Sequence, residues 1–349
     1  MNVAGLPVER RIVLAAQRAG FDGVLAPGHV ARPAPAASQR IVALGGHVVP
    51  QPAWLRALLA MPLEPETLYV DGGTVAMIQT EHPGRVLDVV TRCSGPGDLA
   101  GALNGAVRVV QEPLEPSGRF ALGGPGDVPA AEAWLLRSLV KPSEGFMSRH
   151  VERRISLAVT HRLAGTRMTP NAMTIVSVAI GLVGAPFFLA SASLLQMIGA
   201  VLFLAHSILD GCDGELARLK FQESRAGAVL DFWGDNLVHV AVFACMAVGW
   251  SLASGSSWPL VLGAITIVSA LATATLAARR FIGGGVPDAA STAGRVAEAL
   301  SHRDFIYLIV VLAAFGKASW FLVAAAVGTP SFLLLLLVGD GGRRAARRT

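Results

Sequence analysis

Between residues 172 and 338 the chain is a succession of long apolar stretches, several near the ~20 residues that a helix needs to cross a bilayer. Spans are expected at 172–191, 195–218, 226–250, 258–279, 300–316 and 318–339. The fifth is the weakest, because its purely apolar part, 305–316, is too short alone and Arg303 and Asp304 must lie at its entrance. Over the whole chain 53% of residues are hydrophobic and 15% charged, where a soluble domain has roughly a quarter charged. Residues 1–165 keep the scattered Pro, Gly and charge of a soluble segment.

The net charge of +5 is localised. Arg149, Arg153, Arg154, Arg162 and Arg167 precede the first span, and Arg343, Arg344, Arg347 and Arg348 follow the last. Basic residues flanking apolar spans mark cytoplasmic ends, and an even number of spans puts both clusters on that side. The N-terminus lacks the apolar core of a signal peptide, so the first half is expected in the cytoplasm. Nucleic-acid binding is not indicated, since few aromatics are interleaved with the arginines for base stacking. Cys93, Cys212 and Cys245 show no paired spacing, so neither a disulfide framework nor a zinc site is suggested.

Residues 1–128 alternate short apolar runs with turn signals: a helix over Arg10–Ala19, strands at Gly23–Leu25, Ile41–Leu44 and Leu68–Val70, and a turn at Asp71, Gly72 and Gly73. That pattern suggests a small α/β domain, with Gly123–Val128 as a linker. Residues 129–168 then hold a linker and a basic amphipathic helix over Ser143–Leu163, with Phe146, Ile155, Val159 and Leu163 among its apolar positions, suited to lie in the membrane interface. An ordinary surface helix is the alternative. The membrane domain occupies 169–340, starting at Thr169, Pro170 and Asn171, and 341–349 is a basic tail.

Four aspartates fall at membrane depth, where one carboxylate at a helix centre costs about 2.5–3.5 kcal/mol. Asp210 and Asp213 are i, i+3 at the end of one span; Asp231 and Asp235 are i, i+4 at the start of the next. Each pair shares a helix face, and a hairpin around Lys220–Arg225 lets all four converge. An all-oxygen, strongly anionic donor set suits Mg²⁺ or Mn²⁺, with Ca²⁺ as an alternative. Gly214 and Gly227 leave room beside the carboxylates, although each alone reads first as helix packing. Arg218 can clamp a phosphate with its planar fork.

Asp210, Asp213, Gly214, Ala217 and Arg218, followed by Gly227, Asp231 and Asp235, match in spacing the full signature of the CDP-alcohol phosphotransferase family, which residues 141–340 resemble. The resemblance implies an α-helical integral membrane protein of six transmembrane helices, with an active site open to the cytoplasm. It implies that Asp210, Asp213, Asp231 and Asp235 hold Mg²⁺ or Mn²⁺, with Asp235 also the general base. Gly214, Ala217, Arg218, Gly227, Asn171 and Thr174 would shape the nucleotide site, Lys141 and Ser148 are further candidates there, and Arg279, Arg280 and Arg303 are candidates for acceptor binding. The partners implied are a CDP-activated donor, an alcohol acceptor, membrane lipids and a second copy in a homodimer. His239 is a packing residue or tunes the site, and His206 is assigned no role.

Residues 5–11 and 19–21 resemble part of a sugar-type nucleotidyltransferase, as in archaeal inositol-phosphate relatives that carry such a domain ahead of the membrane part. The Gly-rich nucleotide loop is absent from residues 1–140, so an inactive cytoplasmic α/β domain is expected, with an inositol-type substrate for the membrane part. Two rival functions are a cation transporter using the intramembrane aspartates and a non-catalytic membrane anchor. Spans four to six offer almost no polar residues to continue an ion path, and the intact aspartates argue against an anchor.

Overall fold

The computed structural model describes residues 1–25, 38–140 apart from 94, 104, 113 and 115, 151–282 and 305–346. Contacts divide the chain into two compact units, Met1–Ser138 and Leu139–Thr349.

The first unit begins with the short ladder of β1 (Asn2–Val3) and β2 (Leu6–Pro7), then α1 (Val8–Ala19). β3 (Gln39–Leu44), β4 (Val48–Pro50), α2 (Pro52–Ala60), β5 (Thr67–Asp71) and β6 (Val75–Thr80) follow. The unit closes with α3 (Pro83–Val90), α4 (Pro96–Ala102), β7 (Arg108–Gln111), β8 (Arg119–Ala121) and α5 (Val128–Arg137). Four strands form a mixed sheet in the order β3-β6-β5-β7, where only β5 and β7 are parallel. Parallel neighbours need a crossover; α3 and α4 lie in it and bury Val86 and Leu99 with Leu68, Val70 and Ile78 of the sheet. Gly72 and Gly73, at φ +52° and +72°, make the β5–β6 turn, a conformation that glycine adopts without steric cost.

Two expectations for this unit fail. Gly23–Leu25 is irregular, because a strand exists only through its ladder and no described strand pairs there. Gly123–Val128 is not a linker: the N–H groups of Gly123 and Gly124 donate to Asp127 Oδ2 at 2.7 and 3.2 Å, forming the turn that starts α5. α5 then buries Ala131 and Leu135, and Glu132 accepts the Ala4 N–H at 2.7 Å. The first unit therefore ends at Ser138 and not at 128.

The second unit is helical: α6 (Arg153–Ala164), α7 (Pro170–Gly184, extended by a 3-10 segment to Leu189), α8 (Ser193–Lys220), α9 (Arg225–Ser254), α10 (Trp258–Ile282), α11 (Phe305–Ala314) and α12 (Phe321–Ala346). Five segments are long and apolar enough to cross a membrane, namely Pro170–Leu189, Ser193–Lys220, Arg225–Ser254, Trp258–Arg279 and Ala318–Val338. α11 has ten residues, roughly 15 Å of helix against a core of about 30 Å. Of the span expected at 300–316, residues 300–304 lie outside those described. Phe188, Phe203, Val242, Met246 and Ile309 fill the bundle core. Large apolar side chains also face outward, Leu252 and Val268 among them; in water such a surface would drive association, whereas in a membrane it meets acyl chains.

Helix starts follow from local chemistry. The Thr169 side chain accepts the Ala172 N–H at 3.2 Å, with Pro170 at the first helical position. Ser224 does the same for the Gly227 N–H at 3.0 Å, opening α9. α6 buries a polar stripe. Its buried positions are Ser156, Thr160 and Ala164, while Ile155 is 46% exposed and Phe146 lies outside the described residues. The polar stripe turns inward because a buried carboxylate on α8 awaits it.

Candidate active site

α8 and α9 are joined by residues 221–224, with Phe221 in the left-handed region at φ +56°. Lys220 fixes the end of α8, its ammonium donating to the carbonyls of Thr166 and Met168, each at 2.9 Å. The hairpin so formed brings together Asp210 and Asp213 of α8 and Asp231 of α9: one oxygen from each lies within 4.8 Å of the others. Asp210 and Asp213 are each only 5% exposed. The Thr174 hydroxyl, on α7, donates to Asp213 Oδ2. Three carboxylates this close in a bundle of low polarity repel one another unless a cation sits among them. Hard oxygen donors at this density fit a divalent ion such as Mg²⁺ or Mn²⁺.

Asp235 is one turn along α9 and is not in that group of three. Its Oδ1 lies 3.3 Å from His206 Nε2, and the Nδ1 of the same ring lies 3.0 Å from the Ser177 carbonyl oxygen. His206 is completely buried. His239 Nδ1 is 2.8 Å from the Asp235 backbone oxygen, and its ring packs among Phe203, Phe243 and Phe305.

The small residues serve close approach. A Cβ on Gly227 would stand 2.9 Å from Asn171 Oδ1 and 3.0 Å from Ser224 Oγ, so glycine here lets the starts of α7 and α9 meet. Arg218 folds back along its own helix, its Nη1 3.3 Å from the Cβ position of Gly214. Ala217 is buried. A cavity of about 380 Å³ opens beside the carboxylates; Arg153, Ser156, Asp210, Asp213, Arg218 and Asp231 line it. Arg279 is exposed and does not line this cavity. Arg280 belongs to α10, but its side chain lies outside the described set, as do Arg303, Lys141 and Ser148 entirely.

Two groups escaped the sequence reading. His206 had a usable signal, because 206, 210 and 213 are i, i+4 and i+7 on one helix face. Glu215 is fully buried and accepts from Arg153 Nη1 at 2.6 Å, Ser156 Oγ at 2.7 Å and Thr160 Oγ1 at 2.6 Å.

Residues 167–336 match the family described as CDP-alcohol phosphatidyltransferase. The chain is also similar to proteins named bifunctional IPC transferase and DIPP synthase. With that of Thermococcus kodakarensis it is 38% identical over 124 residues, 35% of this chain and 28% of the relative. With that of Rubrobacter xylanophilus it is 37% identical over 147 residues, 41% and 33% of the two chains. With that of Aquifex aeolicus it is 26% identical over 218 residues, 61% and 49%. The matches thus span less than half the length of each of these relatives. Among solved structures, Mycobacterium tuberculosis phosphatidylinositol phosphate synthase with CDP-DAG bound superposes with a TM-score of 0.39 at 22% identity, covering 52% of this chain and 92% of that one.

Proposed function

We propose, from the match of residues 167–336 to the CDP-alcohol phosphatidyltransferase family, that the protein transfers a phosphate-linked group from a CDP-activated donor to an alcohol, releasing CMP, in the synthesis of phospholipids or related polar lipids. The convergence of Asp210, Asp213 and Asp231 supports this reading most directly. These three would hold the divalent ion, Mg²⁺ or Mn²⁺. When bound, it supplies neutralising charge to the donor's phosphate oxygens and to the departing CMP. Arg218, in the cavity wall, binds a phosphate oxygen through its fork. Asn171 and Gly227, close together at the starts of α7 and α9, shape the nucleotide end of the site with Thr174, Gly214 and Ala217.

Asp235 is the general base. Its carboxylate takes the proton of the acceptor hydroxyl as that oxygen bonds to the phosphorus distal to cytidine. The bond from this phosphorus to the bridging oxygen breaks, and CMP leaves with the electron pair. His206 orients the base by holding Oδ1.

The same reading gives six crossings, with α11 and the residues before it forming the fifth, and both termini and the active site in the cytoplasm. The molecule acts as a homodimer. An inositol-type polar group is the substrate class favoured by the relatives' resemblance, and Arg279, Arg280 and Arg303 are its acceptor-side candidates. The first unit is nucleotidyltransferase-like and inactive, so this chain performs the phosphotransfer alone. Purified protein given Mg²⁺ or Mn²⁺, CDP-diacylglycerol or CDP-inositol and a panel of alcohols should release CMP with at least one pair. No CMP from any pair would contradict the assignment.

A further inference from the structure

Glu215 poses a problem that the reaction does not explain. It is wholly buried on α8, in a segment long and apolar enough to span a membrane, where a lone carboxylate is costly. Three donors from one face of α6 offset that cost: Arg153, Ser156 and Thr160. Together they staple α6 to the helix that carries Asp210 and Asp213.

Arg153 differs from deep-lying Thr160, because its side chain is 19% exposed and lines the cavity that the three aspartates share. Its Nη1 would stand 3.3 Å from a Cβ on Gly211, the residue that follows Asp210. The fork therefore lies against the α8 backbone beside Asp210, in a cavity wall shared with Ser156, Asp213, Arg218 and Asp231. A guanidinium has five N–H donors in a rigid fan, and the contact that Glu215 makes fixes the direction of that fan at the cavity wall.

We propose that Arg153 is a phosphate-binding residue outside the family signature, aimed into the active-site cavity by Glu215. The anion is a phosphate carried either by the CDP donor or by a phosphorylated alcohol acceptor. This assignment rests on the phosphotransfer reading above. A purely structural Arg153 would serve only to neutralise Glu215, and the two roles separate under mutation.

The test measures binding of CDP and of inositol phosphate, each with Mg²⁺, to the purified full-length protein in detergent micelles by calorimetry, alongside thermal unfolding. The variants are Arg153→Lys, Thr160→Val and the double Arg153→Met, Glu215→Gln, which removes the buried charge with its partner and so spares the fold. Arg153→Lys and the double variant should bind one of the two probes about 10–100-fold more weakly, the affected probe naming the donor or acceptor phosphate. Thr160→Val should lower the unfolding temperature and leave both affinities unchanged. If the stable double variant binds both probes like the wild type, Arg153 is structural and the proposal falls. Wild-type protein that binds no CDP removes the phosphotransfer reading, and this assignment with it.

Discussion

His206 Nε2 lies 3.3 Å from Asp235 Oδ1. The ring is clamped from behind, since its Nδ1 lies 3.0 Å from the Ser177 carbonyl oxygen. Phe203 stacks on it at 6.2 Å between centroids. A fully buried imidazole held in this way fixes the rotamer of the carboxylate proposed as base. His206→Leu should lower kcat about 10–100-fold, the usual effect of losing an orienting partner, with the donor KM little changed; His206→Gln should recover part of the loss. Steady-state CMP release measures both, and a KM effect with kcat intact would assign His206 to binding instead.

The Thr174 hydroxyl donates to Asp213, a carboxylate of the proposed cation site, and on that proposal orients it. Thr174→Val should raise the Mg²⁺ or Mn²⁺ concentration for half-maximal activity by about 10–100-fold. Saturating metal should restore the rate. Metal titration of the variant checks this, and an unchanged midpoint contradicts it.

The convergence of Asp210, Asp213 and Asp231 was legible because lipid excludes charge and acids at helical spacing in two adjacent apolar stretches can face each other, whereas Asp235, expected with them, stands outside the group. Helix starts were legible from Thr169–Pro170 and from the polar turn after Lys220. His206 and Glu215 were not, because their partners lie elsewhere in the chain: Ser177 and Asp235 for one, Arg153 and Thr160 for the other. The inward hydroxyls of α6, Ser156 and Thr160, escaped for the same reason, because their acceptor, Glu215, lies on another helix. In the first unit, Gly123–Val128 has the composition of a linker, and only the two N–H groups converging on Asp127 reveal a helix start.

Glu215→Ala removes the carboxylate that Arg153, Ser156 and Thr160 all serve. Leaving a part-buried guanidinium and two inward hydroxyls short of their shared partner is destabilising, so the second unit should unfold at a clearly lower temperature in detergent. An unchanged transition would mean that α6 does not depend on this staple.

Glycine at 249 is dictated by its surroundings. A Cβ there would stand 2.4 Å from the Phe188 carbonyl oxygen and 2.8 Å from Leu189 Cα, both backbone atoms that cannot swing away. Gly249→Ala should destabilise by about 1–3 kcal/mol. Gly328, inside α12 with nothing within 4 Å, should accept alanine with no loss, because alanine is the better helix former. Thermal unfolding of the two variants side by side decides it; equal behaviour would contradict the packing of α9 against the end of the first span.

Crystals of the protein grown with CDP and Mn²⁺ and measured at a manganese-sensitive wavelength address the shared-cation arrangement most directly. Anomalous density should appear about 2.0–2.2 Å from oxygens of Asp210, Asp213 and Asp231, with the nucleotide's diphosphate on its open side. Bound CDP with no manganese between those three carboxylates would contradict the account.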